Sequence, residues 1–361
     1  MLLYADYNAT TPLLKEAKDS MVQAMGVLGN PSSIHGYGRA ARHLLENARE
    51  TVASFFKRKT QESLFTSGAS EANNHILMAF EGSLITSALE HDSVFMAASD
   101  AQLVQASSDG GIDLSHLEDL LKKAPSKTLV SLMAVQNETG IIFPVEKIAH
   151  LCKTHGALFH CDATQALGKI QINFEDVDFI TCSAHKIGGP AGVGALVFKE
   201  KLPLKPFIKG GAQEHYKRAG TQNLIGIAGF KEALSLCDPK KYENIRLLKE
   251  SLEEKLLEIT PKAEIYGKNL NRVANTICIS LPGVKSETQV MTFDLKGVAI
   301  GSGSACSSGK IKKSRVLEAM RVPLEKSSCS IRLSFGPNLT TQDCDLIESI
   351  WADLSKKGKN S

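Results

Sequence analysis

Two periodicities alternate along the first two-thirds of the chain. Ala41, Leu44, Leu45, Ala48, Val52 and Phe55 recur at helical spacing and predict an amphipathic helix over 37–56. Short apolar runs at 62–66, 83–87, 102–107, 127–135, 157–161, 177–182 and 194–199 predict strands, with helices at 70–80, 113–123 and 144–155 between several of them. Strands covered on both faces read as unbroken apolar runs, and a helix between two strands makes them parallel neighbours. The expectation is therefore an α/β fold with a mostly parallel seven-stranded sheet covered by helices. Helices follow near 222–236 and 240–259. Beyond about residue 262 the texture changes. Strand-like runs at 275–281, 297–301 and 329–335 sit among helices near 313–320 and 341–355, which predicts a smaller α+β unit. No Pro/Gly-rich linker marks the change.

Composition narrows the class. The chain has 361 residues, 43% of them hydrophobic, enough for a large buried core and a second, smaller one. A net charge of +3 is too weak to argue for nucleic acid or an anionic membrane as a partner. No apolar stretch is long enough to span a bilayer, and the first residues lack a basic region followed by an apolar run. The eight cysteines are scattered through apolar stretches with no Cys-x-x-Cys pair, which reads as reduced, buried thiols without a metal site. A cytoplasmic enzyme is the expectation.

Ligands of open α/β sheets bind beyond the carboxyl ends of the strands. Five polar segments follow predicted strands: Thr66-Ser67-Gly68-Ala69-Ser70-Glu71, Glu90-His91, Gln136-Asn137-Glu138, Asp162 with Gln165, and Ser183-Ala184-His185-Lys186. Taken singly, each has a plain structural reading. Ser67–Ser70 reads as a helix N-cap, Asp162 as another cap, Asn137 as a turn residue and Lys186 as a solvated lysine. A lone His91 or His185 reads as a hydrogen-bonded structural histidine. Together they supply what a pyridoxal-phosphate site needs: an amine for a Schiff base (Lys186), an acid for the ring nitrogen (Asp162) and a phosphate cradle. The amine must shed its proton, so burial or a neighbouring cation such as His185 has to lower its pKa.

Two further segments carry chemistry. Gly301-Ser302-Gly303-Ser304-Ala305-Cys306-Ser307-Ser308-Gly309 presents a cysteine among small residues. It reads either as a surface loop with an incidental thiol or as a mobile nucleophile. Ser330-Ile331-Arg332-Leu333-Ser334 places one cation on an apolar strand, either a structural ion pair or a clamp on a substrate carboxylate.

These motifs resemble the cysteine desulfurases, in the class V aminotransferase group of fold-type I pyridoxal-phosphate enzymes. The match runs over nearly the whole chain. It includes Asp6-Tyr7-Asn8-Ala9-Thr10-Thr11-Pro12, Gly29–His35, Thr66–Asn74, Asn137-Glu138-Thr139-Gly140, His160–Gln165, Ser183–Lys186, Arg218-Ala219-Gly220-Thr221 and Ser304–Ser308. The resemblance implies a large cofactor-binding domain at 15–260, with 1–14 and 261–361 forming a small domain that carries the Cys306 loop. It implies that Lys186 forms the Schiff base, Asp162 pairs with the ring nitrogen, and Gln165 bonds the ring's phenolic oxygen. His91 would stack on the ring and share in proton transfer. Ser70, with Ala69 in the same cradle, Ser183 and His185 would hold the phosphate, and Thr221 would reach the phosphate of a second subunit in a homodimer. Asn137 and Arg332 would hold the carboxylate of L-cysteine. Cys306 would take the sulfur as a persulfide, leave L-alanine, and pass the sulfur to an acceptor such as an iron–sulfur scaffold. A selenocysteine lyase or an aminotransferase on the same fold is the alternative. Ser70 stands where the family usually has Thr, Gln136 and Thr139 replace the commoner Asn and Ile, and Ala219 replaces a common Ser.

Overall fold

The computed structural model describes residues 3–200, 202, 204–302 and 313–358. Twelve strands run through them: β1 (Leu3–Ala5), β2 (Ser63–Thr66), β3 (Ser83–Ser87), β4 (Gln102–Val104), β5 (Thr128–Met133), β6 (Leu158–Asp162), β7 (Phe179–Ser183), β8 (Gly194–Phe198), β9 (Glu264–Ile265), β10 (Thr276–Ser280), β11 (Val298–Ser302) and β12 (Ser330–Ser334). Seven of these form one sheet in the order β2-β8-β7-β6-β5-β3-β4, and five form another in the order β1-β11-β12-β10-β9. The large sheet is parallel except for β8, which runs against both β7 and β2. Its central strands β5, β7 and β8 are buried along their full length, as continuous apolar runs demand.

Most predicted elements appear within two residues of their sequence bounds, and the departures have local causes. The strand expected over 102–107 stops at Val104, because the next backbone groups turn to the helix Leu114–Lys123: the Gln105 N–H donates to His116 Nδ1, and the Asp113 N–H to the Gln105 carbonyl. The helix expected over 240–259 is two, Pro239–Glu243 and Arg246–Ile259, with Ile245 buried at the break. A helix at Lys15–Met25 has no strong apolar stripe; it buries only Ala17 and Ala24 and packs on the helix Leu224–Ser235.

The main core covers one face of the large sheet, and a smaller cluster of Leu64, Leu129, Phe179, Leu196 and Phe198 with Ile76 and Leu77 covers the other. A second core lies under the small sheet, around Trp351, whose indole N–H donates to the Leu256 carbonyl at 3.1 Å. The N-terminal segment joins the two regions. β1 pairs with β11, Asp6 bridges to Ser334 on β12, and the chain then crosses to the rim of the large sheet, where Thr11 bonds the His185 carbonyl through both its N–H and its hydroxyl. β2, β3, β5, β6 and β7 share one direction, so their carboxyl ends open on a common rim.

Candidate active site

That rim surrounds a cavity of about 890 Å³. Ala69, Ser70, His91, Asn137, Asp162, Gln165, Ser183, His185, Lys186 and Arg332 all line it. Thr221 does not; it is exposed. Cys306 lies outside the described residues. The residues after it return to the cavity: Lys313, Ser314 and Arg315 line it too. The Arg315 guanidinium is held by Asp92 at 2.6 Å and by the carbonyls of Ala88 and Glu90.

Lys186 follows β7 at the end of a single 3₁₀ turn. Its amine donates to the carbonyls of Asn8 and Ala9, at 2.5 and 2.7 Å. Burial pushes its pKa down to about 8, with the nearby Arg332 cation adding to the effect. The sequence reading offered His185 as that cation. The structure corrects this: burial, reinforced by Lys186 itself, pushes His185 down to about 4, so the imidazole is neutral at pH 7 and exerts no cationic effect.

Asp162 ends β6, 6% exposed. Its carboxylate accepts from Asn73 Nδ2 at 2.8 Å and from the Thr164 N–H at 2.9 Å. Asn73 also donates to Ser93 Oγ, which meets His91 Nδ1 at 2.8 Å. His91 Nδ1 further accepts from the Ser93 N–H, so the neutral ring carries its proton on Nε2. Beside Asp162, Glu90 is 1% exposed. Its carboxyl is raised well above the usual range by burial, with the Asp162 charge adding to it, and only one oxygen has a partner, the Met133 N–H. The two neighbouring carboxyl groups thus sit in different settings: Asp162 accepts two hydrogen bonds, while burial raises the Glu90 pKa.

The segment after β2 is not a side-chain cap. The helix Ala69–Ala79 has Gly68 as its N-cap, with no capping side chain, so its first-turn N–H groups stay available for an anion. Gly68 has φ +155°, and a Cβ on Gly194 would fall 2.9 Å from Gly68 Cα and 2.5 Å from the Cys182 carbonyl oxygen. Only glycine at 194 lets β8 pass this close beneath the turn.

Across the cavity, Arg332 is 8% exposed on β12. It donates to the Asn137 carbonyl at 3.1 Å and pairs with Asp6 at 2.8 Å, while its buried Nε has no partner. A guanidinium lining the cavity is suited to pair with a carboxylate there. Asn137 thus grips Arg332 through its main chain and is itself part of the cavity lining.

These groups fit pyridoxal phosphate. A lysine with a depressed pKa, a hydrogen-bonded carboxylate and an uncapped helix terminus are the three parts that the cofactor requires. The sequence reading missed Asn8, Asn73 and Lys169. Asn73 Nδ2 holds Asp162, the Asn8 carbonyl holds Lys186 and Gln165, and Lys169 holds Asn8 and Gln165. Asn8 and Asn73 stand within the motifs quoted above, and Lys169 stands four residues after Gln165. Those positions were the available signal.

Comparison with known proteins agrees with the geometry. The aminotransferase class-V family model matches residues 3–347. A cysteine desulfurase from Cereibacter sphaeroides is 38% identical, with 95% of this chain and 93% of the relative covered. The cysteine desulfurase IscS of Dictyoglomus turgidum is 36% identical over 96% of this chain and 94% of its own. Among solved structures, a NifS-like protein from Rickettsia africae superposes with a TM-score of 0.91 at 33% identity, over 99% of this chain and all of that one. Family match, full-length relatives and superposition coincide with a rim built for pyridoxal phosphate, and the chain belongs to the class-V aminotransferase family as one of its cysteine desulfurases.

Proposed function

We propose that the lysine-lined cavity is where this chain desulfurates L-cysteine, with Lys186 as the Schiff-base lysine and Cys306 as the sulfur acceptor. The observation that carries the reading is that Lys186, Asp162 and Arg332 line one cavity. When bound, the protonated pyridine ring supplies an electron sink for the bond broken at the substrate α-carbon. Asp162 would pair with the ring nitrogen, and its two donors fix the orientation of its carboxyl group. Ser70, Ser183, neutral His185 and the first-turn N–H groups after Gly68 hold the phosphate. Arg332 and Asn137 hold the substrate carboxylate. Lys186 Nζ, its pKa lowered to about 8, would hold the cofactor and carry a proton to and from the substrate carbon. His91 covers the ring face and carries its proton on Nε2.

The Cys306 thiolate attacks the substrate sulfur. A sulfur–sulfur bond forms on Cys306, the carbon–sulfur bond breaks, and the carbon takes up a proton to leave as L-alanine. Described residues on both sides of Cys306 support its reach: Gly301 pairs with Arg332, and Lys313 lines the cavity. The persulfide then passes to an acceptor, for which an iron–sulfur scaffold in the cytoplasm is the proposed partner. Val22, Met25, Leu28, Ile34 and Tyr37 are exposed apolar side chains that a second copy of the chain would cover, and Thr221, outside its own cavity, suits that copy's phosphate.

The test is direct. Purified protein with pyridoxal phosphate and L-cysteine should form alanine, and mass spectrometry should find one extra sulfur on the Cys306 peptide. Cys306→Ala should lose sulfur transfer and keep cofactor binding. Wild-type sulfide release by that variant would instead favour a lyase that needs no cysteine nucleophile.

A further inference from the structure

Lys169 is a lysine that the chemistry proposed so far does not use. It is 3% exposed and does not line the cavity. Burial of this degree is unusual for a lysine without an acidic partner. Both of its hydrogen-bond partners are neutral amide oxygens: Gln165 Oε1 at 2.6 Å and Asn8 Oδ1 at 3.1 Å. The charges acting on it are the cations Lys186 and Arg332. A pure packing role would be filled better by a methionine of similar length, which carries no amine to desolvate.

Its bonds select one orientation of an amide. A Gln side chain is nearly symmetric in shape but not in hydrogen bonding, because one end accepts and the other donates. Gln165 Nε2 donates to the Asn8 carbonyl at 2.8 Å, while Oε1 takes the Lys169 amine. Turning the amide over would set its oxygen against the Asn8 carbonyl and its NH₂ against the lysine N–H groups. The observed orientation spends one N–H of Gln165 on the Asn8 carbonyl and leaves the other without a partner among the described residues, on a side chain that lines the cavity. The same Asn8 carbonyl receives the Lys186 amine. Asn8 is tied down elsewhere too, through Nδ2 to the Asn137 carbonyl and to Thr276 Oγ1, and through its N–H to Ser334 Oγ.

We infer that Lys169 is a positioning residue of this site: its amine clamps Gln165 and Asn8 together, so that Gln165 presents an N–H to the cavity and the Asn8 carbonyl stays aimed at Lys186. The inference rests on the proposed roles of Lys186 and Gln165. Burial and the two neighbouring cations push the Lys169 pKa well below the ordinary lysine value.

The test is a double-mutant cycle read by the visible absorption of the bound cofactor as a function of pH. Borohydride reduction followed by peptide mapping first locates the attachment point. Attachment at any lysine other than Lys186 overturns the site reading itself, whatever Lys169 does. With attachment at Lys186, Gln165→Leu removes a donor from the cavity, and the midpoint of the absorption titration should rise by about half a pH unit or more. Lys169→Met should raise it in the same direction. The double variant should show no more than the larger single shift, because Lys169 acts through Gln165. Lys169→Gln, which keeps an N–H donor on a shorter stem, should recover part of the wild-type midpoint, and it replaces Lys169→Met in the cycle if the methionine variant does not fold. Additive shifts, or a Lys169 variant with the wild-type midpoint, would overturn the inference while leaving the assignment of Lys186 intact.

Discussion

In the cofactor-free protein the Lys186 amine should titrate near pH 8. An ordinary lysine titrates near 10.4, so at pH 8 about half of the Lys186 amines are free, against about 0.4% for an unperturbed lysine, a gain of roughly a hundredfold in reactive amine. The leading cause is burial between β7 and the N-terminal segment, and the Arg332 cation is the second. Limited acetylation across pH 6–11, followed peptide by peptide by mass spectrometry, measures the midpoint, with the exposed Lys18 as an internal reference. Arg332→Gln removes the second cause and should move the midpoint upward. The same shift governs stability. Below pH 8 the folded state carries the full cost of the buried cation. Between about pH 8 and 10.4 the unfolded chain binds more protons than the folded one, so this residue makes stability rise with pH through that window. Lys186→Met should remove that part of the slope in melting experiments on the cofactor-free protein. A Lys186 midpoint at the reference value, or one indifferent to Arg332→Gln, would refute the electrostatic reasoning.

Other perturbations follow from the same geometry. Arg49 and Glu214 form a buried ion pair at 2.7 Å, and Glu214 also accepts from the Phe65 N–H and Gln222 Nε2 while holding a left-handed turn at 214–216. Arg49→Met leaves that carboxylate uncompensated and should cost about 3–5 kcal/mol in urea denaturation; a loss under about 1 kcal/mol would contradict the pairing. Gly194→Ala drives a methyl into the backbone of Cys182 and Gly68, so a fluorescence titration should show pyridoxal phosphate bound about tenfold more weakly, the cost of a modest overpacking. Asn73→Leu takes a donor from Asp162 and from Ser93, a charged hydrogen bond worth about 1.5–3 kcal/mol, and should weaken cofactor binding by at least about tenfold. Unchanged affinity in the Asn73→Leu protein would mean that the Asn73–Asp162 hydrogen bond does not support cofactor binding.

What could be read from the sequence follows from how local each signal is. β5, β7 and β8 are buried on both faces, and a strand of that kind writes itself as an apolar run that the chain reveals without its partners. Asp162 and Lys186 stood out because a polar group directly after such a run falls on the rim where ligands bind. The helix Lys15–Met25 was invisible for the opposite reason: it buries two alanines, and its apolar face exists only once the helix Leu224–Ser235 lies against it. The error over His185 has the same origin. A histidine beside a lysine looks like a cation in sequence, but the fold buries it and leaves it neutral, so the perturbing charge comes from Arg332 on the other sheet.

Asn8 and Lys169 show where local reading ends. Asn8 meets Gln165, Lys169 and Lys186 of the large-sheet rim together with Thr276 and Ser334 of the small sheet, and none of these is near it in the chain. Lys169 looks like any surface lysine until the N-terminal segment crosses over it. Each of its bonds is unremarkable alone; the constraint arises because one amine and one carbonyl group fix two side chains from different elements at once. The cofactor's immediate contacts are therefore written in motifs, while the groups that orient those contacts depend on the N-terminal strand β1 joining the small sheet and drawing residues 6–11 across the cavity mouth. A substitution that weakens the β1–β11 pairing should accordingly disturb Gln165 and Lys186 together, although it touches neither.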